Sequence, residues 1–345
     1  MEWFVVYGRI FEEHRPSYGY HPENPMRLRI ALQALESRGL LSNVVEPAPA
    51  TIEDVLKVHS KNYVEYVKKC IEMNIDELDA DTYICEKSWD AALHAFGAAL
   101  MGSRKILQQR RIAILALVRP PGHHAGVSGR ALGAPTLGFC IFNNIAGAAR
   151  ELIDNGCRPV VIIDIDVHHG NGTQEIFWYD PNVIHIDFHE YGIYPGTGWI
   201  DDVGEGEGEG TKINIAMPHY AADNEYVHAW LNVVEPVIEQ VKPCAILVSA
   251  GFDAFKNDFF ATISLTERFY AFAGYRLRKL VEKYGGILVV LEGGYSEGLR
   301  LGLPTFFDYL VNEGKIVEIG EPKPSKQYLE TFDKLRKVLR RYYEI

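Results

Sequence analysis

The 345-residue chain is short of the features that would tie it to a membrane, to nucleic acid or to a disulfide framework. No apolar run approaches the roughly eighteen residues of a membrane helix, and the N-terminal run Trp3–Tyr7 is too short for a signal peptide and reads as an edge strand. Basic residues are the minority: 35 Lys and Arg against 46 Asp and Glu leave a formal charge of −11. That balance argues against a nucleic-acid binder, which needs a basic face, and it suits a cationic substrate. The cysteines number five, an odd count, with no CxxC among them, so neither a disulfide framework nor a cysteine zinc site is indicated and a reducing compartment fits. A cytoplasmic protein is expected. No linker rich in Pro, Gly and Ser divides the chain, and no internal repeat is evident.

What is present is an ordinary globular composition, 47% hydrophobic and 23% charged, arranged as alternating strand-like and helix-like stretches. Expected strands are Arg111–Leu117, Val160–Ile163, Val183–Phe188, Lys212–Ala216, Cys244–Ser249 and Ile287–Leu291. Helices are expected after Pro25, from Ser88 as a cap, over Asp223–Gln240 with Pro236 breaking or kinking it, and from Thr266 as a cap to Gly285-Gly286. Alternation of this kind predicts an α/β fold: a single-domain, doubly wound, mainly parallel sheet flanked by helices. A last helix from about Ser325, with Leu329, Phe332, Leu335, Leu339 and Tyr342 on its apolar face, is expected to pack on the same domain, so that 1–320 forms the domain proper and 321–345 its terminal helix. The Gly-Glu alternation over Gly204–Gly210 is no phosphate loop, because three glutamates would repel the ligand.

Chemistry concentrates in Val160–Gly172, read as VVIIDIDVHHGNG. A buried β-branched strand runs straight into Asp164, Asp166 and His168, spaced by two and therefore on one side of extended chain. Two carboxylates and an imidazole buried together are costly without a cation, and a divalent metal removes that cost. Open α/β sheets bind ligands beyond the carboxyl ends of their strands. Other expected strands end in the same manner: His123-His124 after two prolines and a glycine, Asp253 in SAGFDA, and Tyr295 in LEGGY. A polar residue at one strand end is ordinarily a loop residue or cap; the same pattern at four ends is a shared site.

These segments resemble the histone deacetylase family of the arginase/deacetylase superfamily, in its class II-like and bacterial–archaeal branch, which includes acetylpolyamine amidohydrolases and acetoin utilization proteins. The resemblance rests on HPENPMR (21–27), RPPGHHA (119–125), LGFCIFNN (137–144), DIDVHHGNGTQ (164–174), YPGTG (194–198), SAGFDA (249–254) and LEGGY (291–295).

The resemblance implies Asp166, His168 and Asp253 as ligands of zinc, an open site whose oxygen-rich donor set also suits Fe(II) or Mn(II). It implies His124 as general acid and base, His123 as orienter of the water, and Asp164 and Asn171 as their respective partners. Some members carry Asp where Asn171 stands, so His124 is expected to be less basic here. Tyr295 matches the phenol that hydrogen-bonds the oxyanion. Phe139 and Tyr194 match the walls of an acyl-lysine tunnel, Gly138 lets the stem pass, and Asp81 matches a rim carboxylate that holds the substrate backbone. The family more often has Phe where Tyr194 stands. A structural potassium is implied at Asp164, Asp166, His168, Asp187 and Phe188, with Asp187 in the place of a hydroxyl.

The expected activity is zinc-dependent removal of an acetyl or related acyl group from an amine, in protein acyl-lysine or in a small acetylpolyamine, with no nucleic-acid or membrane partner and with homo-oligomerisation open. An arginase-like two-metal site would need more carboxylates. A catalytically inactive acetyl-lysine binder would show a damaged ligand or a lost Tyr295, and neither is damaged.

Overall fold

The computed structural model describes every residue except Tyr18 and Ile319. Eight strands form one parallel sheet: β1 (Glu2–Val6), β2 (Val44–Val45), β3 (Ile112–Ala116), β4 (Val160–Asp164), β5 (Val183–Glu190), β6 (Lys212–Met217), β7 (Ala245–Ala250) and β8 (Ile287–Leu291). Their spatial order is β2-β1-β3-β8-β7-β4-β5-β6. The inner strands are near-continuous apolar runs (IAILA, VVIID, AILVSA, ILVVL), buried throughout, as a parallel sheet covered on both faces by helices requires. Helices flank the sheet, Ser88–Gln108 against Asn144–Asp154 and Glu267–Tyr284 against Leu303–Val311. Local chemistry fixes their starts: Thr51 and Asp54 form a capping box, and Asn143 and Thr266 accept from Ala146 and Arg268 N–H groups.

The structure corrects several local expectations. The Trp3–Tyr7 run is not an edge, because β1 pairs with β3 on one side and with the two exposed valines of β2 on the other. Lys87 occupies the N-cap of the long helix, while the Ser88 hydroxyl accepts from the Cys85 N–H (2.8 Å). Ahead of Pro236 the chain forms a π-helical turn, Trp230–Val234, which absorbs the ring that an unbroken α-helix would reject. On the terminal helix Lys326–Leu339 the expected face is buried at Phe332, Leu335 and Leu339, but Tyr328 rather than Leu329, which is 37% exposed, begins it.

Cysteine parity also misled. Cys157 and Cys244 form a disulfide, 87 residues apart in sequence, with Cα atoms 5.4 Å apart. They precede β4 and β7, which are parallel neighbours, so sheet topology rather than sequence spacing brings them together. The disulfide removes the argument for a reducing compartment. Among the described residues no helix is long and apolar enough to cross a membrane.

Candidate active site

Strands β3, β8, β7 and β4 lie side by side, so their carboxyl-terminal extensions emerge next to one another. Those extensions carry His123-His124, Glu292–Tyr295, Asp253 and Asp166–His168 respectively.

Asp166, His168 and Asp253 form the centre: one donor atom from each lies within 4.8 Å of the others. His168 Nδ1 is 3.1 Å from Asp166 Oδ1 and 3.3 Å from Asp253 Oδ2. Asp253 Oδ2 is buried with no hydrogen-bond partner, the mark of an oxygen waiting for a cation. Two glycines make room for these carboxylates: a Cβ at Gly251 would stand 2.1 Å from Asp166 Oδ2, and one at Gly293 would stand 2.1 Å from Asp253 Oδ2. Burial penalises all three charges. It pushes the Asp253 carboxyl up to about 6, with Asp166 repelling it as well, while His168, despite burial, is raised to about 10 by the two carboxylates. One imidazole, two carboxylates and open space fit a catalytic divalent metal.

His123 and His124 sit above this group, with ring centroids 4.0 Å apart. His123 Nδ1 donates to Asp164 Oδ2 (2.9 Å), whose other oxygen accepts the Asp166 N–H (3.0 Å). Burial opposes charge on His123, but Asp164 and Asp166 outweigh it and raise its pKa well above the ordinary value. His124 Nδ1 meets Asn171 Oδ1 at 2.7 Å, and Asn171 Nδ2 is committed to the Ala131 carbonyl (2.9 Å). The amide oxygen therefore faces His124, Nδ1 carries the hydrogen, and Nε2 keeps its lone pair. Burial, then repulsion from His123 and His168, holds the His124 pKa well below the ordinary value.

A cavity of about 390 Å³ reaches this centre, lined by His124, His168, Gly138, Phe139, Tyr194, Tyr295 and Asp81, residues that the sequence singled out. Gly138 (φ 55°) is where only glycine fits: a Cβ would lie 2.5 Å from His124 Cδ2 and 2.7 Å from the Tyr194 hydroxyl. Tyr194 donates to the Thr136 carbonyl (3.0 Å), so its proton is turned away from the cavity. Asp81 accepts from Thr82 (2.8 Å) and Thr136 (2.5 Å).

A histone deacetylase domain profile matches residues 21–303. The chain belongs to the histone deacetylase family. It is 48% identical over 314 residues to an uncharacterised protein of Methanocaldococcus jannaschii, covering 91% of this chain and 89% of that one. It is 36% identical to a probable deacetylase of Archaeoglobus fulgidus, covering 85% and 81%. Among solved structures, the HDA15 HD domain superposes with a TM-score of 0.88 at 32% identity, covering 99% of this chain and 96% of that one.

Sequence reasoning missed several residues of this deacetylase-family site. Phe260, His21 and Pro22 also line the cavity; Phe260 stands edge-on to Tyr295 (5.0 Å) and Phe139 (6.0 Å). Glu292, fully buried, accepts from Gly122 N (2.7 Å) and His123 N (3.2 Å) and so pins the histidine loop. Arg27 lies 4.7 Å over the Tyr295 ring, donates to the Gly294 carbonyl (2.8 Å) and pairs with Glu23 (3.0 Å), which also holds the buried Arg119. The HPEN and RPP motifs were the available signal for Glu23 and Arg119; Phe260 had none beyond lying seven residues after Asp253.

The expected potassium group is brought together in part. Asp164 and Asp187 are register partners across β4 and β5, and His185 joins them as a second group of donors within 4.8 Å. Phe188 points the other way, stacked on Tyr226 at 5.3 Å, leaving only its backbone for such a site.

Proposed function

We propose that this protein is a metal-dependent amidohydrolase that removes acetyl or related acyl groups from lysine side chains. The observation that carries the reading is one cavity lined by a neutral imidazole, His124, by the Tyr295 phenol and by His168, the member of the Asp166–His168–Asp253 centre that faces it. Zinc, or Fe(II) or Mn(II), held by those three residues would polarise the amide carbonyl and acidify a water beside it. His124 Nε2 takes the water's proton as the oxygen attacks the carbonyl carbon. The Tyr295 hydroxyl donates to the oxygen as it becomes anionic. His124 then passes its proton to the amine nitrogen as the C–N bond breaks, giving a carboxylic acid and a free amine. His123, fixed by Asp164, directs the water, and Asn171 holds the His124 tautomer.

Acyl-lysine is the favoured substrate: the uncharged walls Phe139, Tyr194 and Phe260 suit the methylenes of a lysine stem, and Asp81, the only carboxylate of the lining among the described residues, stands at the rim to accept from the substrate backbone. The Asp164–Asp187 pair with His185 is our candidate for a structural cation such as potassium.

The test is a competitive hydrolysis panel of acyl-lysine peptides against acetylputrescine and acetylspermidine, with the zinc-loaded and chelator-treated protein. Peptides should be favoured by at least ~10-fold in kcat/KM, a difference of about 1.4 kcal/mol, and chelation should abolish turnover. Preference for the polyamines would overturn the substrate, and chelator-resistant turnover the mechanism.

A further inference from the structure

The loop Tyr194–Gly198 serves two cavities. Tyr194 lines the acyl tunnel, and Gly196, Thr197 and Gly198 line a separate cavity, also of about 390 Å³. The second cavity's walls are aromatic: Trp178, Tyr191 and Trp199, the last two with ring centroids 4.4 Å apart. Asp202 is its one carboxylate, and no Lys or Arg lines it among the described residues. Aromatic faces beside a carboxylate, with no competing cation, make an environment for an organic cation.

Gln174 supplies the second mark of a built site. It is 1% exposed, yet it lines the cavity. Its Oε1 accepts from His169 Nε2 (3.1 Å) and Asn214 Nδ2 (2.8 Å), and its Nε2 has no partner among the described residues. With its oxygen committed to these two donors, the Gln174 side-chain N–H is left to donate to an oxygen acceptor in the cavity.

We propose that this cavity binds a small organic ammonium ion bearing an oxygen acceptor, and that its occupancy is felt at the acyl tunnel. Two physical links reach the tunnel. One is the loop itself. The other is His169, which bonds both Gln174 and Thr197 (2.8 Å) and is the chain neighbour of His168. A ligand that braces Thr197 and Gln174 on one side restrains Tyr194 and His168 on the other, which is the differential contact that coupling between sites requires.

Choline is the probe, and 3,3-dimethylbutan-1-ol, of the same shape without the charge, is the control. Tryptophan fluorescence and hydrogen exchange are read on the full chain, so neither depends on deacetylase activity. Choline should quench saturably, with the neutral alcohol weaker by at least ~10-fold, the upper part of the cation–π range. Trp199→Leu and Asp202→Asn should each weaken choline by a similar factor while metal content and circular dichroism stay unchanged. Equal binding of alcohol and choline, or unaltered choline affinity in both variants, overturns the site. Choline should also slow amide exchange across residues 194–199; unchanged exchange there at saturation overturns the coupling. Displacement of choline by a trimethyl-lysine peptide would assign the cation to a protein side chain and overturn a small-molecule ligand; its failure to displace supports one.

Discussion

Tyr295 is held on three sides and free on the fourth. Asp258 accepts its backbone N–H (3.1 Å), Arg27 covers the ring, and Phe139 and Phe260 stand edge-on to it. Burial raises its pKa well above the ordinary phenol value, so the hydroxyl stays protonated and able to donate. Tyr295→Phe removes that donor and leaves the packing. It should lower kcat by roughly 10²–10³-fold, the usual cost of one oxyanion donor, with KM and bound metal little changed. Turnover within tenfold of the parent, in a stopped assay with metal content checked, would mean that another group stabilises the oxyanion. Residues of this kind were legible because Asp, His and Tyr after apolar strands are chemically conspicuous. Their supports were legible only as members of motifs: nothing local tells that Glu292 and Glu23 meet His123 and Arg119, which lie 169 and 96 residues away.

At the level of elements, strand ends and caps were readable because they depend on local chemistry, and pairings across the sheet were not. Cys157 and Cys244 make the case. Each stands just before a strand, and only the adjacency of β4 and β7 joins them. They lie at the amino ends of strands whose carboxyl ends lead into Asp166 and Asp253, about 17–20 Å away by strand length. Cys157→Ser opens an 87-residue loop; a loop of that size should cost about 2–4 kcal/mol of stability without altering catalysis. Thermal melts with and without reductant should show the parent falling to the variant's midpoint when reduced, and kcat/KM should match at temperatures well below either. An equal loss of activity would mean that strain at the sheet's base reaches the site. The Pro236 break was legible, but its form, a π-helical turn ahead of the ring, depends on how the helix buries Trp230 and Val234.

For the whole molecule, the centre couples folding to pH. In the metal-free protein His168 titrates near 10, above its ordinary 6.5, because the pull of Asp166 and Asp253 exceeds the penalty of burial. A basic group raised on folding contributes stability that is fully present below its unfolded pKa and is lost as pH climbs through the folded one. Asp253, raised to about 6 by burial and by Asp166, acts in the same direction at lower pH, since the folded state holds its proton more tightly than the unfolded chain does. The chelated protein should therefore lose stability steadily between about pH 6 and pH 10. In the zinc-loaded protein the metal takes the proton's place, so binding releases protons and the loss is absent. Melts of paired chelated and zinc-loaded samples cancel every group remote from the centre, because those titrate alike in both. The zinc-induced rise in Tm should grow with pH across this range. A rise that shrinks as pH increases would mean that no proton bridges the carboxylates in the metal-free centre, and that another cation balances their charge.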